Sequence, residues 1–291
     1  MTWLITGGSG QLGTAISKEL NDRGILFKSC SSSEIDITNL QQVNDLILLH
    51  KPKIIVNCAA WTDVDAAEEH QAEAHSINGN GAGNIASAAQ KIGSKLIQIS
   101  TDYVFKGDTQ GYLGEDLPTN PQNVYGRTKA EGEKLVMRIY PEKSYVIRTA
   151  WLYSPWGENF AKTMTRLAIT GEKEIKVVND QIGQPTSAID LAKQIVGLAH
   201  SDSPPGIYHG TNSGETSRFQ FAREIFRLTG MKTSYVLGVP TAEYLLPAKR
   251  PSRSVLGQKS WEKTDLQPMR NWKEALESAM PKIISSIRTN G

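Results

Sequence analysis

At 291 residues, with 39% hydrophobic and 21% charged residues, the chain is long enough to bury a sizeable core in one large domain or two intimate ones. A formal charge of +2 and a pI near 8.4 announce no nucleic-acid partner, and no run of like charges marks a tail or a membrane patch. Cys30 and Cys58 form no C-x-x-C pair and join no His/Cys cluster at ligand spacing. No apolar segment approaches the roughly 18 residues of a membrane span, so the expectation is a cytoplasmic protein with no required metal.

Trp3-Leu4-Ile5 reads as a buried strand, followed by the glycine loop Thr6-Gly7-Gly8-Ser9-Gly10-Gln11-Leu12-Gly13 and a helical pattern through Ile16 and Leu20. Gly7, Gly10 and Gly13 give the tight turn and close backbone approach that a pyrophosphate at a helix N-terminus demands. Gln11 and Leu12 fall at that N-terminus. A second strand is predicted over 25–29, and it leads into Cys30-Ser31-Ser32-Ser33 instead of the acid typical of a NAD site. Hydroxyls such as that of Ser31 can bond a 2′-phosphate, so NADPH is favoured with NADH possible; a plain polar loop reads the same way. Asp36 and Ile37 stand where an adenine edge could be gripped, although Asp36 could equally cap the next helix.

An apolar third strand over 53–57 ends in small residues, so Ala59, Ala60 and Trp61 are candidates to line the cofactor. A long alanine-rich helix is predicted over 68–90, interrupted by Gly79, Gly81 and Gly83. A fourth strand over 96–99 delivers Ser100-Thr101-Asp102-Tyr103-Val104-Phe105, where Thr101 could hydrogen-bond a substrate carbonyl or satisfy a turn.

Asn123-Val124-Tyr125-Gly126-Arg127-Thr128-Lys129 then sets a phenol and an ammonium four residues apart on one helix face. A free phenol has a pKa of about 10, and a lysine cation beside it favours the phenolate, which makes the pair a candidate general acid. A fifth strand follows over 145–148. Later, Lys249-Arg250-Pro251-Ser252-Arg253-Ser254 is the densest basic stretch of the second half, offering Lys249, Arg250 and Arg253 to a pyrophosphate or forming a solvated turn.

Taken in order, these motifs resemble the dTDP-4-dehydrorhamnose reductase family within the extended short-chain dehydrogenase/reductase superfamily. The similarity also runs through Asn57-Cys58-Ala59-Ala60-Trp61-Thr62-Asp63-Val64-Asp65, Arg148-Thr149-Ala150-Trp151-Leu152-Tyr153, Asn179-Asp180-Gln181-Ile182-Gly183-Gln184-Pro185-Thr186 and Arg250-Pro251-Ser252. The resemblance implies a Rossmann-like doubly wound α/β parallel sheet with a smaller mixed α/β substrate-binding domain. The first would span 1–148 plus about 183–212, the second 149–182 plus about 213–291.

It also implies reduction of the C4 ketone of dTDP-4-dehydro-6-deoxy-L-mannose to dTDP-L-rhamnose with NADPH or NADH. Tyr125 would give the proton, Lys129 would hold the nicotinamide ribose and lower the phenol's pKa, and Thr101 would steady the oxyanion. Asp102, Val104 and Trp151 would meet the dTDP-sugar. Trp61 stands where many relatives carry His or Tyr. Thr14-Ala15-Ile16-Ser17 lacks the metal-binding glutamate of dimeric relatives, so a monomer or weak homodimer is expected. A related nucleotide-sugar 4-ketoreductase or epimerase remains open, as does a non-catalytic role like that of the regulatory subunit of methionine adenosyltransferase.

Overall fold

The computed structural model describes residues 3–244 and 246–288; the ends of the expected domain ranges, residues 1–2 and 289–291, lie outside the described residues. Through the first half the elements are β1 (Trp3–Thr6), α1 (Gln11–Asp22), β2 (Phe27–Cys30), α2 (Leu40–His50), β3 (Ile54–Asn57), α3 (Ala66–Glu69), α4 (Gln71–His75), α5 (Ala82–Ile92), β4 (Lys95–Thr101), α6 (Val124–Ile139) and β5 (Ser144–Thr149). Then come β6 (Leu152–Tyr153), α7 (Phe160–Ile169), β7 (Ile175–Val178), β8 (Ile182–Gly183), β9 (Thr186–Ser187), α8 (Ala188–His200), β10 (Gly206–His209), β11 (Thr216–Ser217), α9 (Arg218–Leu228), β12 (Val236–Val239) and α10 (Trp272–Arg288).

Six parallel strands form the central sheet in the order β10-β5-β4-β3-β1-β2. Their apolar runs follow from cover on both faces. Trp3 and Ile5 of β1 pack with α1 and α8, while Leu4 between them packs on the opposite face with residues of α2, α5 and α6. A separate core of Tyr153, Met164, Phe221, Phe226, Trp272 and Leu276 joins α7, α9 and α10.

Two expectations shift. The second strand begins at Phe27 instead of Ile25, because the Ile25 amide is used to close the end of α1 on the Leu20 carbonyl. The helix expected over 68–90 is broken into α3, α4, a wide π-turn (Ser76–Gly81) and α5. In that turn Asn78 donates to the Trp61 carbonyl (3.1 Å) and the Thr128 hydroxyl (3.0 Å) and accepts from the Trp61 amide (2.9 Å). The loop after β3 is thereby pinned to α6. A Cβ at Gly132 would lie 2.2 Å from the Asn78 carbonyl oxygen, so only glycine lets α6 come this close.

Side chains also cross-link the strands where they enter the ligand-facing edge. Thr6 Oγ1 donates to Asn57 Oδ1 (2.5 Å), and Asn57 Nδ2 donates to Gln98 Oε1 (2.7 Å). Deeper, Arg148 of β5 and Glu133 of α6, 1% and 4% exposed, form a three-bond pair at 2.7–3.2 Å. The guanidinium lies over Phe105 and 3.5 Å from His209 Nε2. With Nδ1 donating to the Gly257 carbonyl, His209 is neutral, and burial and Arg148 push its pKa down to about 3.

Removing one partner of such a pair strands a buried charge. Glu133→Ala is expected to cost about 3–5 kcal/mol in urea unfolding, and a loss below about 1 kcal/mol would show that the pair does not hold α6 to the sheet.

Candidate active site

The carboxyl ends of β1 to β5 open on one cleft with a volume of about 720 Å³. At one end lie Gly7, Gly10, Gln11, Leu12 and Gly13. Gly10 opens α1 without any side-chain cap, and no acid occupies the first turn, so the free amides and the positive end of the helix face the cleft. Gly7 adopts φ 65°, and a Cβ there would come within 2.6 Å of the Ala59 amide nitrogen. This backbone cradle suits a dinucleotide pyrophosphate. Asp36, Ile37, Ala59 and Ala60 continue the wall. Asp36 does not cap α2, a task done by Asn39; its carboxylate accepts from the Thr38 amide and hydroxyl.

Two buried hydroxyls fit the far end of such a cofactor. Ser100 Oγ and Thr149 Oγ1 line the cleft and have no hydrogen-bond partner among the described residues, although buried hydroxyls are ordinarily satisfied.

Thr101, Tyr125 and Lys129 meet in the middle. Asn123 caps α6 by accepting from the Gly126 amide (2.7 Å), and Glu68 accepts from the Val124 amide (2.8 Å), so the start of the helix that carries Tyr125 is held from two sides. Lys129 is 4% exposed and donates to the Ile99 carbonyl at 2.6 Å. Burial lowers its pKa to about 8, with the Glu133 carboxylate opposing. The phenol behaves differently from expectation. Burial raises the Tyr125 pKa, a hydrogen bond with Thr101 pulls the other way, and the lysine, turned to the Ile99 carbonyl, is not among the causes.

Asp102 and Trp151 form the other half of the cleft. Asp102 is 2% exposed and accepts hydrogen bonds from the Ser254 and Thr101 hydroxyls. Trp151 sits at φ 45°, a strained value for a tryptophan, with its ring over Gly183, where a Cβ would lie 2.6 Å away. The Arg218 guanidinium stacks on that ring at 3.8 Å and lies 5.2 Å from the Phe160 ring. Arg218 lines the cleft and makes no direct ion pair among the described residues, although the Asp102 carboxylate is near enough to be felt electrostatically. Nothing in the local sequence Thr216-Ser217-Arg218-Phe219 distinguishes it, so reading the sequence missed it.

Six expected positions lie elsewhere. Arg250 is bound bidentately by Asp65 (2.6 and 2.5 Å) and Arg253 by Glu215 (3.0 and 2.7 Å), while Lys249 is exposed and outside the cleft lining. This basic stretch is a strap. Its Lys249 carbonyl accepts from Asn123, its Arg253 amide donates to Gly107, its Ser254 amide donates to Ile182, and its Ser254 hydroxyl reaches Asp102. Ser31 and Val104 are not in the lining, where Ser32 and Tyr103 appear instead. Trp61 is also outside it, its indole donating to the Asp63 carbonyl. Among the described residues no group of three or more His, Cys, Asp or Glu gathers as a metal site.

The buried Asp102 is costly when ionised. Burial raises its pKa from 3.8 to about 6, so its contribution to stability is fully present below about pH 4 and is lost as pH rises through 6. Asp102→Asn removes that penalty. Urea unfolding is expected to find the variant about 1–3 kcal/mol more stable than the parent at pH 8, with the gap closing toward pH 4; a gap independent of pH would contradict the assignment.

The family model of the RmlD substrate binding domain matches residues 1–284. The dTDP-4-dehydrorhamnose reductase of Streptomyces griseus is 41% identical over 285 residues, covering 97% of this chain and 93% of the relative. The dTDP-4-keto-6-deoxy-D-glucose reductase of Streptomyces niveus is 39% identical over 282 residues, covering 96% of each. The crystal structure of dTDP-4-dehydrorhamnose reductase from Bacillus anthracis in complex with NADP superposes with a TM-score of 0.93 at 40% identity, covering 97% of this chain and 100% of that one. With a matching model over nearly its whole length, this chain belongs to the RmlD substrate binding domain family.

Proposed function

We propose that the protein reduces the C4 ketone of dTDP-4-dehydro-6-deoxy-L-mannose to dTDP-L-rhamnose, using NADPH or NADH. One observation carries this reading: Thr101, Tyr125, Lys129 and Trp151 share a single cleft with the glycine loop, in a chain 41% identical to a dTDP-4-dehydrorhamnose reductase. Gly7, Gly10 and Gly13 with the free amides of α1 would hold the nicotinamide cofactor, which would supply a hydride for C4. Tyr125, kept protonated by its raised pKa, gives its proton to the ketone oxygen. Thr101, its hydroxyl proton turned from Asp102, donates to the same oxygen as negative charge develops there.

Lys129, charged at neutral pH with a pKa of about 8, would hold the nicotinamide ribose. Trp151 offers a flat apolar face to the deoxyhexose, Asp102 accepts from a sugar hydroxyl, and Arg218 meets the diphosphate. The sugar lies between a nucleotide-binding part, 1–148 with about 183–212, and a sugar-binding part, 149–182 with about 213–291. The separate core around Phe221 and Trp272 supports that division.

No helix among the described residues is long and apolar enough to cross a membrane. We place the protein in the cytoplasm as a monomer or weak homodimer with no nucleic-acid partner. A second reading, another dTDP-4-keto-sugar reductase, is favoured by the 39% identity to a dTDP-4-keto-6-deoxy-D-glucose reductase.

NADPH oxidation in the presence of each keto sugar, with product identification, separates the two. Tyr125→Phe is expected to lower kcat by at least about 100-fold while nucleotide binding persists. Arg218→Gln is expected to raise KM for the dTDP-sugar about tenfold. Turnover of neither sugar by the parent protein would overturn the reductase reading.

A further inference from the structure

Resting on that reductase reading, the hydrogen bonds behind Thr101 decide whether its hydroxyl can serve a ketone. Thr101 Oγ1 accepts from the Tyr103 amide (3.2 Å), and its own proton is directed at Asp102 Oδ1 (3.1 Å). A hydroxyl has one proton to give, so a carboxylate that takes it leaves nothing for the substrate. On the far side of Asp102 stands Ser254 of the strap, 2% exposed, whose hydroxyl finds its one acceptor among the described residues in Asp102 Oδ2. Buried hydroxyls donate when an acceptor is in reach. Ser254 therefore marks Oδ2 as the accepting oxygen, and a proton on Asp102 belongs on Oδ1, facing Thr101.

We propose that Asp102 is the positioning residue of Thr101: as the neutral acid it donates through Oδ1 to Thr101 Oγ1 and turns the threonine proton to the ketone oxygen, and as a carboxylate it takes that proton back. In the neutral form both lone pairs of Thr101 Oγ1 are filled, one by the Tyr103 amide and one by Asp102, so its proton has only the cleft to turn to. Oδ2 keeps a lone pair for a sugar hydroxyl beside its bond from Ser254. The acid proton stays on Asp102 throughout, and the proton that the ketone gains is still that of Tyr125. Burial favours the neutral acid and raises its pKa to about 6; the Ser254 and Thr101 hydroxyls and the Arg218 guanidinium on α9 oppose it. Tyr103 and Tyr125 face the carboxyl as neutral phenols, their own pKa values raised by burial.

The test follows hydride transfer in a single turnover, read as NADPH absorbance on mixing with the dTDP-keto sugar that the parent reduces. Asp102→Asn, Thr101→Val, the double variant and Ser254→Ala are compared with the parent, and thermal unfolding checks that each is folded. The parent rate is expected to fall about tenfold between pH 5.5 and 7.5, below the titration of Lys129 near 8. In Asp102→Asn the side-chain amide donates to Thr101 at every pH, so the rate should change by less than about twofold over that range. Thr101→Val is slower but equally flat, and adding Asp102→Asn to it leaves the profile unmoved, which a carboxyl acting directly on the sugar would not do. Ser254→Ala removes a bond that favours the carboxylate, so its fall should move about one pH unit higher. A flat parent profile, or a fall that survives in Asp102→Asn or in Thr101→Val, would overturn the proposal. If the parent reduces a dTDP-keto sugar and one of these results is found, only this inference fails. A parent that transfers hydride to no dTDP-keto sugar sinks the reductase reading as well.

Discussion

The site depends on keeping one charged helix face inside the protein. Tyr125, Lys129 and Glu133 recur every four residues along α6, and the two charged members are almost wholly buried. Burying an ammonium and a carboxylate costs several kcal/mol each unless both are paired. Lys129 is offset by the Ile99 carbonyl on β4, and Glu133 by Arg148 on β5. The same contacts that neutralise the helix also set its distance from the strand ends. Tyr125 reaches Thr101 because the two residues beneath it have fixed partners on the sheet.

The strand ends are held just as firmly from their own side. Thr6, Asn57 and Gln98 run as a buried hydrogen-bonded line across β1, β3 and β4, so three walls of the cleft share one network. The π-turn adds a fourth support by joining Trp61, Asn78 and Thr128. Wide turns of this kind inside helices recur at functional sites because they release a backbone group and shift the register of the next helical turn. Within the cleft lining, left-handed strain falls on Trp151, whose backbone aims the indole across Gly183 toward the cleft.

Much of this was legible before any coordinates. The apolar strands, the glycine loop and the Tyr125/Lys129 spacing are local patterns, and they emerged at the ends of strands facing one cleft. What escaped reading depends on distant partners. Lys249, Arg250 and Arg253 look like free cations in sequence, yet Arg250 answers Asp65 and Arg253 answers Glu215, far away along the chain. Arg218 belongs to no motif, and its stacking on Trp151 beside the Asp102 carboxylate reveals it only in three dimensions. The electrostatics of Tyr125 were misjudged for a similar reason: spacing places a lysine on the same helix face, but burial and the direction of its ammonium decide what the phenol feels. The π-turn was visible only as scattered glycines, because the widening is selected by Asn78 and its tertiary contacts.

The strap has a consequence for how the molecule comes into being. Arg250 lies 185 residues from Asp65, Ser254 lies 152 from Asp102, and Lys249 lies 126 from the cap of α6. During synthesis the chain emerges from its first residue onward, so β1 to β5 and α6 are on hand long before these late partners exist. Loops of this length close slowly, since the entropy of closure must be met before the contacts reward it. A nascent chain can therefore own its nucleotide cradle while the sugar side of its cleft is still unassembled. Competence for chemistry arrives only once residues 248–257 have been made and stitch the two halves together.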